Sequence, residues 1–231
     1  MGTQVISPQW RGFKSLRPIF DEGILSFGRG EHCIDCISAR DLFHDDDIYW
    51  NEATCYGGYC TIEFSMFNMA VHKEAFAQLN IEFITWIADQ FRVNYQLDAA
   101  SDIGQTIPEY VNTHLPELTS LKPPDGIVYL LKDEGNIVGM GAIRKLSDET
   151  GEIKRMYIRP LYRGRGYGKQ MLNKLLEAGR ELGCSGFKLE TSKFMTVAQH
   201  IYKSAGFTER DEYLESETPA VLRRYQVFME K

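Results

Sequence analysis

The chain has 231 residues, 43% hydrophobic and 25% charged, which is enough apolar material for one sizeable core with some chain to spare. Its net charge of −6 removes an overall basic field for nucleic acid, and no apolar run reaches the ~18 residues needed to cross a bilayer. The first residues lack the charged-then-apolar order of a secretory signal, so the cytoplasm is the expected compartment.

Residues 1–60 read as an N-terminal extension without a helical or strand period. Trp10, Phe13, Phe20, Phe27, Phe43 and Trp50 are scattered among glycines, prolines and acidic residues. Cys33, Cys36, Cys55 and Cys60 fall in this segment, as two pairs with 18 residues between them. Two such pairs can chelate a tetrahedral zinc ion, but four residues rather than two separate the second pair. Ordinary reduced thiols are the preferred reading, and no metal is assigned.

Residues 61–67 alternate loosely, as a first strand does. Phe76, Leu79, Phe83 and Ile87 form a helical stripe. A second, shorter helix is predicted over residues 106–114, stopped by Leu115-Pro116. Residues 127–131 and 137–143 read as a hairpin around Asp133-Glu134-Gly135-Asn136. Residues 152–158 are the next strand, ended by Pro160; Glu152 and Ile158 share a face if that strand is regular.

Arg163-Gly164-Arg165-Gly166-Tyr167-Gly168 follows this strand and opens an amphipathic helix. Glycines let a backbone approach an anion closely, and the first helical turn offers free N–H groups. Arginines add charge-assisted contacts to phosphate. A dinucleotide fingerprint fails because its last glycine is Lys169, and a P-loop fails at Arg163 and Gln170. The helix has an apolar stripe of Met171, Leu172, Leu175, Leu176 and Leu182, and Gly183 is its natural stop. Cys184 follows as a packing residue. Phe187 and Leu189 alternate with Lys188 and Glu190 as a strand. A helix from Thr196 carries Ala198, Ile201, Tyr202 and Ala205 and stops at Gly206. Residues 213–214 and 224–229 are expected as the last two strands.

The spacing Arg163-x-x-Gly166-x-Gly168, followed by Ala198-x-x-x-Tyr202-x-x-x-Gly206-Phe207, resembles the GNAT N-acetyltransferase superfamily over residues 61–231. The resemblance implies an α/β (α+β) fold, with a mixed, mostly antiparallel sheet of about seven strands flanked by about four helices. It implies an acetyl-CoA-dependent enzyme that acetylates a primary amine of a small molecule or a peptide. The alternative is a non-catalytic coenzyme A-binding module. Neither a nucleic acid nor a membrane partner is expected, and GNAT domains often dimerise, so a homodimer is the family expectation.

By the same resemblance, Met156, Tyr157 and Ile158 lie along the pantetheine arm in the manner of strand addition. The pyrophosphate sits on Arg163, Gly164, Arg165, Gly166, Tyr167 and Gly168, beside Lys169, with Ala198 on the helix across from it. Tyr202 is the expected proton donor to the departing sulfur; the alternative is a core tyrosine. Glu152 is the expected base; the alternatives are a solvated glutamate paired with Lys154 or Arg155, Glu190 in its place, or a water relay. Many members carry asparagine where this chain has Met195, and Thr191 or Ser192 could replace that contact. The acceptor side is expected from residues 76–118 and 213–222, with Trp86, Tyr95, Glu109, Tyr110, His114 and Glu117 as candidate lining.

Overall fold

The computed structural model describes residues 62–98 and 104–231, together with the backbone of a short hairpin, β1 (Ile19–Asp21) and β2 (Ile24–Ser26). The chain divides into two units, Met1–Tyr59 and Cys60–Lys231. The four cysteines weighed as zinc ligands lie outside the described residues.

The second unit is one seven-stranded sheet in the order β3-β4-β5-β6-β7-β9-β8. Its strands are β3 (Ile62–Met66), β4 (Gly126–Asp133), β5 (Asn136–Lys145), β6 (Thr150–Ile158), β7 (Gly186–Ser192), β8 (Thr208–Arg210) and β9 (Gln226–Glu230). The helices are α1 (Met69–Tyr95), α2 (Ile107–Ser120), α3 (Tyr167–Glu181), α4 (Thr196–Ser204) and the single turn α5 (Ala220–Arg223). All neighbours are antiparallel except β6 and β7. This is the mixed, mostly antiparallel α/β architecture expected.

β4 is buried on both faces, which is why its run Ile127 to Leu131 is continuously apolar rather than alternating. On one face, Phe76 and Leu79 of α1 and Val111, Leu115 and Leu118 of α2 pack on Val128, Leu130, Met140, Ala142 and Tyr157. On the other, the α3 stripe of Met171, Leu172, Leu175 and Leu176 packs on Ile127, Tyr129, Leu131, Ile143 and Ile153. A Cβ at Gly141 would come within 2.9 Å of the Met171 side chain, so glycine there lets α3 press onto the sheet. Cys184 is buried in the same cluster, as expected of a packing residue.

The β4–β5 turn has Glu134 and Gly135 at positive φ, a two-residue hairpin of the type the sequence announces. Gly183 and Gly206 stand at positive φ just past α3 and α4. Three expectations need correction. α2 does not stop at Leu115-Pro116 but runs on to Ser120 with Pro116 inside it. A full capping box of Thr106 and Glu109, and burial of Val111, Leu115 and Leu118, outweigh the one backbone bond that Pro116 removes. Residues 213–214 are not a strand: β8 is Thr208–Arg210, and Tyr213 turns inward from a loop. Glu152 and Ile158 lie on opposite faces, because β6 is bulged. Met140 pairs with Tyr157 but Ala142 with Lys154, so Gly141 faces both Arg155 and Met156.

Candidate active site

The single parallel pair creates the site. β6 and β7 are bonded only from Thr150↔Gly186 to Ile153↔Leu189; both strands then continue without pairing. The bulge with Arg155 at φ 55° begins just where pairing ends and turns β6 away from its neighbour. The separated strands leave unpaired backbone edges, a template for an extended ligand. Met156, Tyr157 and Ile158 lie on that stretch of β6.

The glycine loop sits where β6 runs out, after the turn Pro160–Tyr162. Gly164 and Gly166 have φ of 80° and 77°, a region that side chains disfavour. The first return bond of α3 is from the Gln170 N–H to the Gly166 carbonyl, at 3.1 Å. Donors before it have no carbonyl to meet within the helix, which makes the turn a natural anion cradle. Gly168 brings α4 close, since a Cβ there would stand 3.2 Å from Ile201. Ala198 packs partly buried on the same core.

The side chains of this loop mostly hold the loop itself. Arg163 donates to the Ile158 carbonyl at 2.9 Å and lies over the rings of Trp86 and Tyr157. Arg165 and the Tyr167 hydroxyl both donate to the buried Asp133 carboxylate, at 3.1 and 2.9 Å. Burial and that carboxylate push the Tyr167 phenol up to about 12. Tyr167 therefore contributes backbone to the cradle and its ring to the core. Lys169 stands exposed in the first turn of α3.

Beyond the bulge lies a cavity of about 440 Å³, lined by α1, α2, β6, β7 and the segment between β8 and β9. Tyr202 reaches it from α4. Its buried hydroxyl lies 3.9 Å from the Met156 sulfur, and burial raises its pKa to about 12. Thr191 donates to the Met195 sulfur, and Gln199 bonds the Ser192 and Lys193 carbonyls, so this turn is held by its own chain.

Glu152 forms part of the cavity lining with only 3% of its side chain exposed. It accepts from Arg144 Nε at 2.6 Å and from the Tyr213 hydroxyl at 2.7 Å. Its closest cationic partner is thus Arg144, neither Lys154 nor Arg155. Arg144 also reaches Glu117 at 3.2 Å and bonds Glu217. Lys154 bonds Glu217 and lies 3.8 Å from Glu152; burial lowers its pKa to about 8 against the pull of Glu152. Thr218 donates to Glu190 at 2.7 Å. Burial and the carboxylates of Glu152 and Glu190 hold the Tyr213 phenol far above its ordinary value.

Of the expected acceptor-side residues, Tyr110, His114 and Glu117 line the cavity. Glu109 instead closes the α2 capping box. Trp86 and Tyr95 belong to an aromatic cluster with Phe91, Phe194 and Tyr225. Sequence reasoning missed Arg144 as a site residue, and it included Tyr213 only as part of the expected acceptor segment 213–222, without naming it. Arg144 is paired across from Glu152 in the sheet register, which only the hairpin alignment of β5 and β6 could have signalled.

The sequence model of the acetyltransferase (GNAT) family matches residues 82–207. An IAA acetyltransferase of Azospirillum brasilense is 31% identical over 112 residues, 48% of this chain and 72% of that protein. An uncharacterised N-acetyltransferase of Escherichia coli, YjgM, is 29% identical over 151 residues, 63% of this chain and 89% of its own. The fold matches the PaiA N-acetyltransferase of Thermoplasma acidophilum, solved in complex with coenzyme A. That match has a TM-score of 0.54 at 16% identity and covers 74% of this chain and 98% of that one. The chain belongs to the acetyltransferase (GNAT) family, N-acetyltransferases whose co-substrate is acetyl-CoA.

Proposed function

We propose that this chain transfers an acetyl group from acetyl-CoA to a primary amine of a small molecule or peptide. The observation that carries the reading is the split between β6 and β7, with an anion cradle at one end and a charged cavity at the other. The free β6 edge at Met156, Tyr157 and Ile158 suits a pantetheine arm, and the turn from Arg163 to Gly168, with Lys169, suits its diphosphate. Ala198 packs across from that turn on α4. Bound acetyl-CoA supplies the activated acyl carbon: one N–C bond is made for one C–S bond broken, and the ammonium loses two protons.

Tyr202 is the donor for the departing sulfur. Its raised pKa keeps the phenol protonated at neutral pH, and solvent restores its proton after donation. Glu152 has both carboxylate oxygens occupied by donors, so its role is to anchor Arg144 and Tyr213 in the cavity wall. It serves as the base only if the Tyr213 bond yields. A pH–rate profile separates these roles: Glu152→Gln that abolishes the acidic limb makes Glu152 the base, and one that keeps it leaves a structural anchor for Arg144 and Tyr213.

The deciding experiment is thiol release from acetyl-CoA across a panel of amines, with coenzyme binding followed by calorimetry. Turnover on some amine is expected. Coenzyme binding without turnover on any amine would make the chain a binding module instead.

A further inference from the structure

The charges that line the cavity can be matched against one another. Four are carboxylates, Glu117, Glu152, Glu190 and Glu217, and two are cations, Lys154 and Arg155. Arg144, behind the wall, takes Glu152, Glu117 and Glu217, and Lys154 shares Glu217 with it. Two groups remain. Among the described residues, Glu190 on β7 forms no ion pair and is met by the hydroxyls of Thr218 and Tyr213. Arg155 on β6 forms none either; the Tyr110 hydroxyl lies against it, and it feels Glu117 only at longer range. The ion pairs of the cavity wall therefore leave out one anion, Glu190, and one cation, Arg155, on the two strands that part.

Arg155 is also placed at a cost. It is a non-glycine residue at φ 55°, in the bulge, a backbone region that side chains disfavour. The half-buried guanidinium cannot shed its charge as a lysine would. Its one close partner is a neutral hydroxyl, and a carboxylate satisfies an arginine better, through two parallel charge-assisted bonds. Strain that aims such a group into a cavity is the pattern of a ligand site rather than of a structural one.

We propose that the acceptor is a small zwitterion, an amine that also bears a carboxylate as a free amino acid does, with its carboxylate on Arg155 and its ammonium on Glu190. Aliphatic and aromatic side chains of the wall, among them Phe83, Ile87, Phe91 and Leu222, then face the rest of the molecule. This deepens the acetyl-transfer reading and rests on it. Glu190 holds the nitrogen beside the β6 edge, and Arg155 sets the distance from nitrogen to carboxylate. Both are binding residues; neither donates or accepts the transferred group.

The test compares L-phenylalanine, L-leucine, L-methionine and L-glutamate with their amides, and phenethylamine as the acid-free analogue of the first. Thiol release from acetyl-CoA is the readout. At least one acid should exceed its amide in kcat/KM by about 10- to 100-fold. Arg155→Gln should bring that ratio to about one, Arg155→Lys should restore part of it, and Glu190→Gln should raise KM for acid and amide alike. Calorimetric titration of each variant with CoA shows that it is folded. Amides used as well as acids, or an unchanged ratio in Arg155→Gln, overturns the proposal while leaving the acetyltransferase reading intact. If nothing turns over, titration of the CoA-loaded protein with the same acids decides: binding that Arg155→Gln abolishes supports the site, and no binding overturns it.

Discussion

The two ends of the β6–β7 split are built differently. The end proposed for the coenzyme is local: strand, turn, glycine loop and first helical turn are one continuous stretch from Met156 to Lys169. Its shape comes from φ angles that glycine permits and from donors that every helix start leaves free. The end proposed for the acceptor is assembled from α1, α2, β6, β7 and the β8–β9 segment, and is held by a charge network with few local contacts. A local site should tolerate substitutions one at a time, each with its own modest cost. A network should fail as a unit, because removing one member strands the others.

The largest effect should follow from stranding Glu152. Arg144→Met leaves a nearly enclosed carboxylate without its main partner and should cost about 3 kcal/mol by denaturant titration. A loss under 0.5 kcal/mol would place this end among ordinary surface pairs. Next is Tyr202, where the two ends meet. Tyr202→Phe should lower kcat about 100-fold with coenzyme affinity held, and by the same factor from pH 6 to 9, since the phenol remains protonated throughout. An unchanged kcat would make it a core residue. At the end proposed for the coenzyme, Gly166→Ala adds a methyl that meets only the flexible Gln170 amide, at 3.9 Å, so the change tests its φ of 77°. The expected cost is ~1 kcal/mol, seen as weaker coenzyme binding by calorimetry.

The smallest effect is a slope. Burial lowers the Lys154 pKa to about 8, so between that value and its ordinary 10.5 the unfolded chain binds the extra proton. Stability contributed by Lys154 therefore rises with pH across that window, by at most about 1.4 kcal/mol per unit, and is flat below it. Lys154→Met should lack the rise. An identical slope in both proteins would show that the Glu217 pair cancels the burial.

Legibility from sequence follows the same division. The glycine loop, the α3 stripe, the helix stops at Gly183 and Gly206 and the β4–β5 turn depend on neighbours in the chain and could be read there. Helix α2 was misjudged because a proline's local penalty was weighed without the burial of Leu115 and Leu118. Tyr213 was misread as strand because nothing near it in sequence announces Glu152 as its partner, 61 residues away.

What the amino-acid order determined by itself was the periodicity of the elements, the glycine-rich turn that opens α3 and the family. These rest on backbone geometry and on interactions within a few residues. The tertiary structure alone decided that β6 is bulged, that Glu152 and Ile158 part to opposite faces, and that Glu190 and Arg155 are left out of the ion pairs of the cavity wall. Those outcomes depend on which strands pair and where pairing stops. Pairing is settled by packing over the whole sheet, and no single segment encodes it.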